Sequence, residues 1–313
     1  MKKMINKVNL YGKLYEMDLK KKVTGANSKN PGTEYITGTI GVATDDDCLN
    51  VVSVYYSYVV PMTKQNKPNN TYNVLENILN GVYGTVLGVG VNDAAVVRID
   101  SQITLNEFYT DRNGKEELVS AKRIENGFIH VVGKNDIPPV NHNLFECDYM
   151  ITNVRHIDEN PERGTSEKAI LKGAIFNDYN KTLMPMEFSV IKPQAINYFE
   201  GLNVNGNNPL FTRVKGHVVN EAIVRNVEEV SAWGEVSVKS VSSSRRDWVV
   251  DYSAEVPYDF GDDAILTVDE VNEAIKTREV MLANLKSRSA EYRASKGSIT
   301  TPVVAASKEK FDF

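Results

Sequence analysis

Two long stretches of this chain share one shape, and that repetition limits the fold more than any other feature. "AAVVRIDSQITLNEFYTDRNGKEELVSAKRIENGFIHVV" runs from Ala94 to Val132, and "PLFTRVKGHVVNEAIVRNVEEVSAWGEVSVKSVSSSRRDWVVDYS" from Pro209 to Ser253. Each alternates apolar and polar residues, breaks at a Gly-containing turn, and alternates again. That period of two, interrupted once, is the pattern of a long β-hairpin.

The segments before each hairpin repeat as well. Strand patterns cover Lys7–Met17, Tyr35–Thr44 and Leu49–Val59, and "TYNVLENILNG" follows with helical spacing and Gly81 as a stop. Further on, "FECDYMITNVRHI", "KAILKGAIFND" and "MPMEFSVIK" read as strands, and "PQAINYFEGLNVNG" as a short helix that starts at Pro and ends at Gly. Both orders are strand, strand, strand, helix, strand, strand. Matching "ITGTI" with "LKGAI", "NVLENILNG" with "NYFEGLNVNG" and "VVRID" with "FTRVK" gives offsets of 135, 124 and 115 residues. Few residues are identical, so element order carries the repeat.

Five strands with a helix between the third and fourth is the order of the OB barrel. The expected fold is therefore mainly β: two tandem five-stranded OB-fold barrels, each with one short helix, plus a long C-terminal helix. A pair of β-sandwiches is the competing architecture, and a single helix at the same place in both copies argues against it. The expected units are residues 1–133, a linker at 134–144 containing Pro138-Pro139, residues 145–257, a helical segment at 258–296 and a tail at 297–313. "TVDEVNEAIKTREVMLANLKSRSAEYRAS" reads as one helix, with Thr267 and Glu270 spaced as a capping box and Val268, Val271, Ile275, Leu282 and Leu285 as one stripe. That stripe suits docking on the second barrel or pairing with a partner helix.

Charge narrows the partners. The net charge of the 313 residues is −5, but residues 1–133 hold 15 Lys/Arg against 14 Asp/Glu, and residues 134–257 hold 13 against 17. Nucleic-acid binding would need a local basic stripe, better placed in the first copy than in the second. Cys48 and Cys147 are far apart, with no metal-ligand spacing, and read as free thiols. No secretory leader or long apolar run is present, so a cytoplasmic protein is expected. No ligand pair, nucleophile elbow, P-loop or dinucleotide fingerprint occurs, so neither an enzyme nor a cofactor is expected.

"NKVNLYGKL" and "VVRIDSQITLNEFYTDRNGKE" bring in a known family. In the bacterial and phage single-stranded DNA-binding proteins, a Val-rich opening strand ends in Gly-basic-Leu, and a later strand runs through an aromatic into a Thr-Asp-x-x-Gly hairpin tip. Residues 5–132 resemble that family, with Phe108-Tyr109 at the aromatic place, and residues 145–254 resemble it loosely, with Trp233 at the comparable tip. The two-barrel chain with a helical tail looks most like a phage type. The resemblance implies binding of single-stranded DNA without strict sequence choice during replication or recombination. Bases would stack on aromatics, and Lys/Arg would follow the phosphates.

Candidates for that role in the first copy are Lys13, Lys20, Lys21, Lys22, Tyr56, Tyr58, Lys64, Phe108, Tyr109, Arg112, Lys115, Lys122 and Arg123. "SVYYSYVV" places Tyr56 and Tyr58 together on one face by alternation and Tyr55 on the other. Tyr56 and Tyr58 are assigned to the groove, with core packing an equal alternative. In the second copy the equivalent set is Lys172, Lys181, Arg213, Lys215, Trp233, Lys239, Arg245 and Arg246, expected to bind more weakly. Trp248 reads as core. The closing "KEKFDF" resembles the partner-recruiting tail tip of the same family through Phe311, Asp312 and Phe313, although Lys308 and Lys310 cancel its acidity. A rival function is an assembly protein that uses its barrels and helix as protein-binding modules, and RNA is a rival ligand.

Overall fold

The structure is a computed structural model that describes residues 4–297, apart from 113–114, 137, 139–141, 161–165, 178, 231, 256–257 and 259–265. It leaves out the side chains of 112, 134, 222–230, 239–244 and 295–297. The fold is mainly β with a long C-terminal helix.

Strands β1 (Asn6–Val23), β2 (Glu34–Ala43) and β3 (Val51–Val59) lead into helices α1 (Asn70–Leu79) and α2 (Val86–Val89), then β4 (Val96–Arg112) and β5 (Lys115–Val131). A second series follows: β6 (Asn143–Ile157), β7 (Lys168–Asn177), β8 (Thr182–Val190), α3 (Pro193–Gly201), β9 (Leu210–Val230) and β10 (Val236–Ser253). Helix α4 (Val268–Gly297) ends the described chain.

Pairing closes each series on itself. β1 lies between β2 and β4, β2 pairs with β3, β4 with β5, and a short parallel contact between β3 and β5 completes the circuit. β6 to β10 repeat that circuit strand for strand, down to the parallel contact of β8 with β10. Alternation then sends one residue in two inward. Leu10, Leu14, Ile40, Val54 and Ile99 fill the first interior, and Phe145, Tyr149, Leu171 and Phe188 the second. α1 and α3 contribute Leu75, Ile78, Ile196 and Phe199, and all of these belong to one continuous apolar cluster. Cys147 lies inside it, where burial pushes its thiol pKa up, and neither cysteine is in a disulfide.

The two series meet through their first strands. β1 and β6 run antiparallel with Val8 opposite Phe145, and Asn6–Cys147 and Leu10–Asn143 are set symmetrically on either side. The arrangement approximates a two-fold axis through the Val8–Phe145 pair. Hydrogen bonds repeat across it. The Asn6 amide donates to Ile103 O and accepts from Ile103 N at 3.0 and 2.9 Å. The Asn143 amide makes the same two bonds with Val218, at 2.6 and 3.1 Å. Each asparagine thus extends a ladder where the backbone partner has run out.

These registers correct one sequence match. A bulge separates Leu14–Val42 from Glu16–Gly41 in the first series, and Ile151–Gly173 from Asn153–Lys172 in the second. Gly41 therefore corresponds to Lys172, and Ile40, not Ile36, to Leu171. A shared glycine misled the alignment. Gly38 and Gly173 serve different close approaches, to Asp18 O and Met150 O.

α4 starts at the expected capping box: Thr267 Oγ1 accepts from Glu270 N at 3.2 Å, and Glu270 Oε2 accepts from Thr267 N at 2.9 Å. Its apolar anchor is narrower than the expected stripe. Leu266, Val271 and Ala274 pack on Met150, Phe176, Leu183 and Phe211, while Val268 and Ile275 stay exposed. Further along, α4 leaves the second series and crosses the β4–β5 hairpin of the first. Arg278 grips Glu107 with two bonds of 3.1 and 2.5 Å, Ser289 Oγ donates to Tyr109 O, and Arg293 and Lys286 pair with Glu116.

Candidate nucleic-acid interface

The outer side of β2 and β3 is the most distinctive surface of the first series. Ile36 and Ile40 of β2 and Val54, Tyr56 and Val59 of β3 are buried. The residues between them face outward, and the register sets Thr39 beside Tyr55 and Gly41 beside Ser53. Gly38, at φ +136, sits where the ladder slips, so two residues of β3, Ser57 and Tyr58, fall opposite Thr37 alone. The extra residue is a β-bulge that resets the alternation.

That bulge overturns one assignment. Tyr56 and Tyr58 do not share a face. Tyr56 is 0% exposed and core, with burial raising its phenol pKa, while Tyr58 is 44% exposed. Tyr55, assigned by alternation to the opposite side, faces out with Tyr58. Tyr58 rests on Tyr35, ring centroids 4.8 Å apart. Arg123 of β5 lies over Tyr55 at 4.6 Å, its fork fixed by Glu125 at 2.8 and 3.1 Å. A cation so placed polarises the ring and holds its plane. On the other edge, β1 sets Lys22 opposite Tyr35 and Lys20 opposite Thr37. Lys22 is exposed and has no ion-pair partner among the described residues, and Lys20 pairs only with exposed Asp18, at 3.3 Å. Three tyrosines thus form a row bordered by Lys20 and Lys22 on one side and Arg123 on the other. Sequence reasoning missed Tyr35 and Tyr55. Their only local signal was Gly38, which does not by itself announce a bulge.

Several other candidates are occupied elsewhere. Lys21 points to the opposite side of β1, where it binds Glu76 at 2.6 Å and Glu34 at 3.2 Å, and the Glu76 bond chiefly raises its pKa. Lys122 lies across the second series, donating to Glu187 O with its amine 5.6 Å from the Phe188 ring centroid. Burial lowers its pKa, against the pull of Asp247 and Glu187. Arg213 is held by buried Asp148 at 2.8 Å, which also accepts from Ile5 N. Lys172 pairs with Glu187 at 3.3 Å and Lys215 with Glu146 at 3.5 Å. Lys181 lies over Phe176 at 6.0 Å. Tyr109 lies under Lys286 of α4, whereas Phe108, beside it, is 42% exposed.

The remaining candidates scatter. Lys13 is on β1 opposite Ala43, beyond the bulge that separates it from Lys20 and Lys22. Lys64 is exposed in the loop before α1, and Lys115 at the start of β5. Trp233 is 77% exposed at the β9–β10 turn, its indole N–H bound to Glu235 at 2.9 Å. Trp248 is buried, as expected. Arg245 and Arg246 are exposed on β10. The side chains of Arg112 and Lys239, and all of Phe311, Asp312 and Phe313, lie outside the described residues.

The second series does not repeat the tyrosine row. Ile103–Ile124 corresponds to Val218–Trp248, so Arg123 corresponds to Asp247. Tyr55–Glu125 corresponds to Ser189–Val249, so Tyr55 corresponds to Ser189. In place of a cation over a ring, Ser189 Oγ donates to Asp247 at 2.6 Å and Lys168 binds the same carboxylate at 3.0 Å. An ion pair closed by a hydroxyl has no free π-face for a base.

No curated protein matches the chain in sequence. Among solved structures, a deletion mutant of the single-stranded DNA-binding protein from Thermus aquaticus is similar, with 12% identity and a TM-score of 0.41, covering 81% of this chain and 98% of that one. The wild-type form of that protein gives 11% and 0.40, with 78% and 93% covered. The YorF family model matches residues 4–288, nearly the whole described chain, and the protein therefore belongs to the YorF family.

Proposed function

We propose that this chain binds single-stranded DNA without strict sequence choice, on the outer face of β2 and β3, and coats exposed strands during replication or recombination. The observation that carries this is the row of Tyr35, Tyr58 and Tyr55 bordered by Lys20, Lys22 and Arg123. A flat ring accepts any base, and the flanking cations meet the phosphates. The circuit of five strands with a helix between the third and fourth supports an OB reading of each series, in which the strand 2–3 face is the usual binding surface. The activity is binding alone, with no cofactor and no covalent step, in a cytoplasmic setting. Partner recruitment through Phe311, Asp312 and Phe313 belongs to the same proposal.

A fluorescent oligo-dT titrated at two salt concentrations tests it, with duplex DNA and oligo-rU as controls. Single-strand binding weakened by salt is expected. Tyr55→Ala and Tyr58→Ala should each lower affinity by roughly 5- to 150-fold, the worth of one lost stack of about 1–3 kcal/mol. Absence of binding at low salt would sink the proposal. The rival reading, an assembly protein, draws on the β9–β10 hairpin, where Trp233, Val236 and Val238 are all exposed.

A further inference from the structure

The two-fold relation between the series sets two cations in equivalent places at their junction, and only one of them is engaged across it. Lys122 and Arg246 are equivalent residues, because Ile124 corresponds to Trp248. Ser53 and Glu187 are equivalent as well, since Gly41 pairs with Ser53 and its counterpart Lys172 with Glu187. Lys122 crosses to the second series and donates to the backbone carbonyl of Glu187, whose carboxylate pairs with Lys172. Arg246 makes no such crossing bond, and it lines a cleft with Ser53 and the Lys122 side chain. The Arg246 side chain is exposed and makes no hydrogen bond or ion pair among the described residues.

That cleft encloses about 320 Å³ between the two series, and Arg123 lines it too. Ser53 is two residues from Tyr55 on the same outward side of β3, so the cleft opens directly off the tyrosine row. Arg123 touches both: its guanidinium covers the Tyr55 ring and its position borders the cleft. A strand whose bases stack on the row has its next phosphates at this mouth. The available chemistry is an unpaired guanidinium, a hydroxyl and the edge of a second guanidinium, the donor set that takes a phosphodiester. Asp247 also lines the cleft, but Lys168 and Ser189 already engage it.

We propose that this cleft is a backbone-phosphate subsite, built jointly by Ser53 and Arg123 of the first series and Arg246 of the second. The inference rests on the single-strand reading above and adds to it that the second series serves the first one's site instead of holding its own.

The test is anisotropy with a 20-residue oligo-dT across a salt series, on the full chain and three variants. Arg246→Gln should weaken binding by about 3- to 10-fold and reduce the slope of log K against log salt by about one, the mark of a lost phosphate contact. Ser53→Glu, which restores the acid present at the equivalent position, should produce the same loss and add little on top of Arg246→Gln. Lys276→Gln, exposed on α4 and outside the cleft, should change neither affinity nor slope. Thermal melts confirm that each exposed-site variant folds. If the parent binds and Arg246→Gln matches it in affinity and slope, or if Lys276→Gln loses as much, the subsite is wrong while the tyrosine row stands. If the parent does not bind, both proposals fall.

Discussion

Tyr56 and Tyr58 are two residues apart in one strand yet lie on opposite sides of it. Strict alternation would put them together, and only the slip at Gly38 separates them. Tyr56 has a second peculiarity: its buried hydroxyl has no hydrogen-bond partner among the described residues. A buried, unmatched hydroxyl costs about 1–3 kcal/mol, so Tyr56→Phe should be neutral or stabilising in urea melts. Tyr56→Ala should instead cost about 3–5 kcal/mol through the cavity it leaves. A loss on Tyr56→Phe would mean that the hydroxyl has a partner. His156 offers a test by pH. Its Nδ1 meets Glu200 at 2.6 Å, and Asp158 and Glu167 lie 3.4 Å from Nε2. The Glu200 bond, then these charges, raise its pKa despite some desolvation. A raised pKa means that the stabilisation is complete below about pH 6.5, the unfolded value, and is lost as pH rises through the folded one. The stability difference between the parent and His156→Gln should therefore shrink between pH 6 and pH 9, and a constant difference would refute the assignment.

At the scale of elements, the strand order was legible because long hairpins write a period of two over many residues, and the capping box of α4 was legible because it is local; the four-residue α2 was missed, too short to write a helical period. What α4 does was less so. Its stripe of Val268, Val271, Ile275, Leu282 and Leu285 suggested one docking surface, but the helix uses a short apolar anchor on the second series and ion pairs on the first. Ion-pair partners such as Glu107 and Arg278 are 171 residues apart, and no window of sequence connects them. Their side chains are only 7% and 13% exposed. Removing one partner of such a buried pair strands the other charge, at about 3–5 kcal/mol. Glu107→Ala should therefore lower stability by that order in urea melts and increase proteolysis within α4. A loss below about 1 kcal/mol would place the pair among weak surface contacts.

For the whole molecule, the repeated strand order could be read from the chain, while the differences between the two series could only partly be. Net charge already set the second copy apart as the more acidic. The substitution of Ser189 and Asp247 for Tyr55 and Arg123 was hidden, because matching those positions requires the strand registers, and the sequence match was displaced on β2. An aromatic platform on one series alone makes stoichiometry decisive: one short oligo-dT should bind per chain in a calorimetric titration. Two equal sites per chain would contradict it.

The antiparallel seam of β1 with β6 has one more consequence. Two identical subunits joined along such a seam would separate on dilution, and any site spanning them would vanish with the complex. Here the two series are joined through residues 132–142, which keeps each at an effective concentration in about the millimolar range whatever the bulk amount. A strand-binding surface that draws residues from both sides of the seam therefore keeps the same affinity at nanomolar protein as at micromolar.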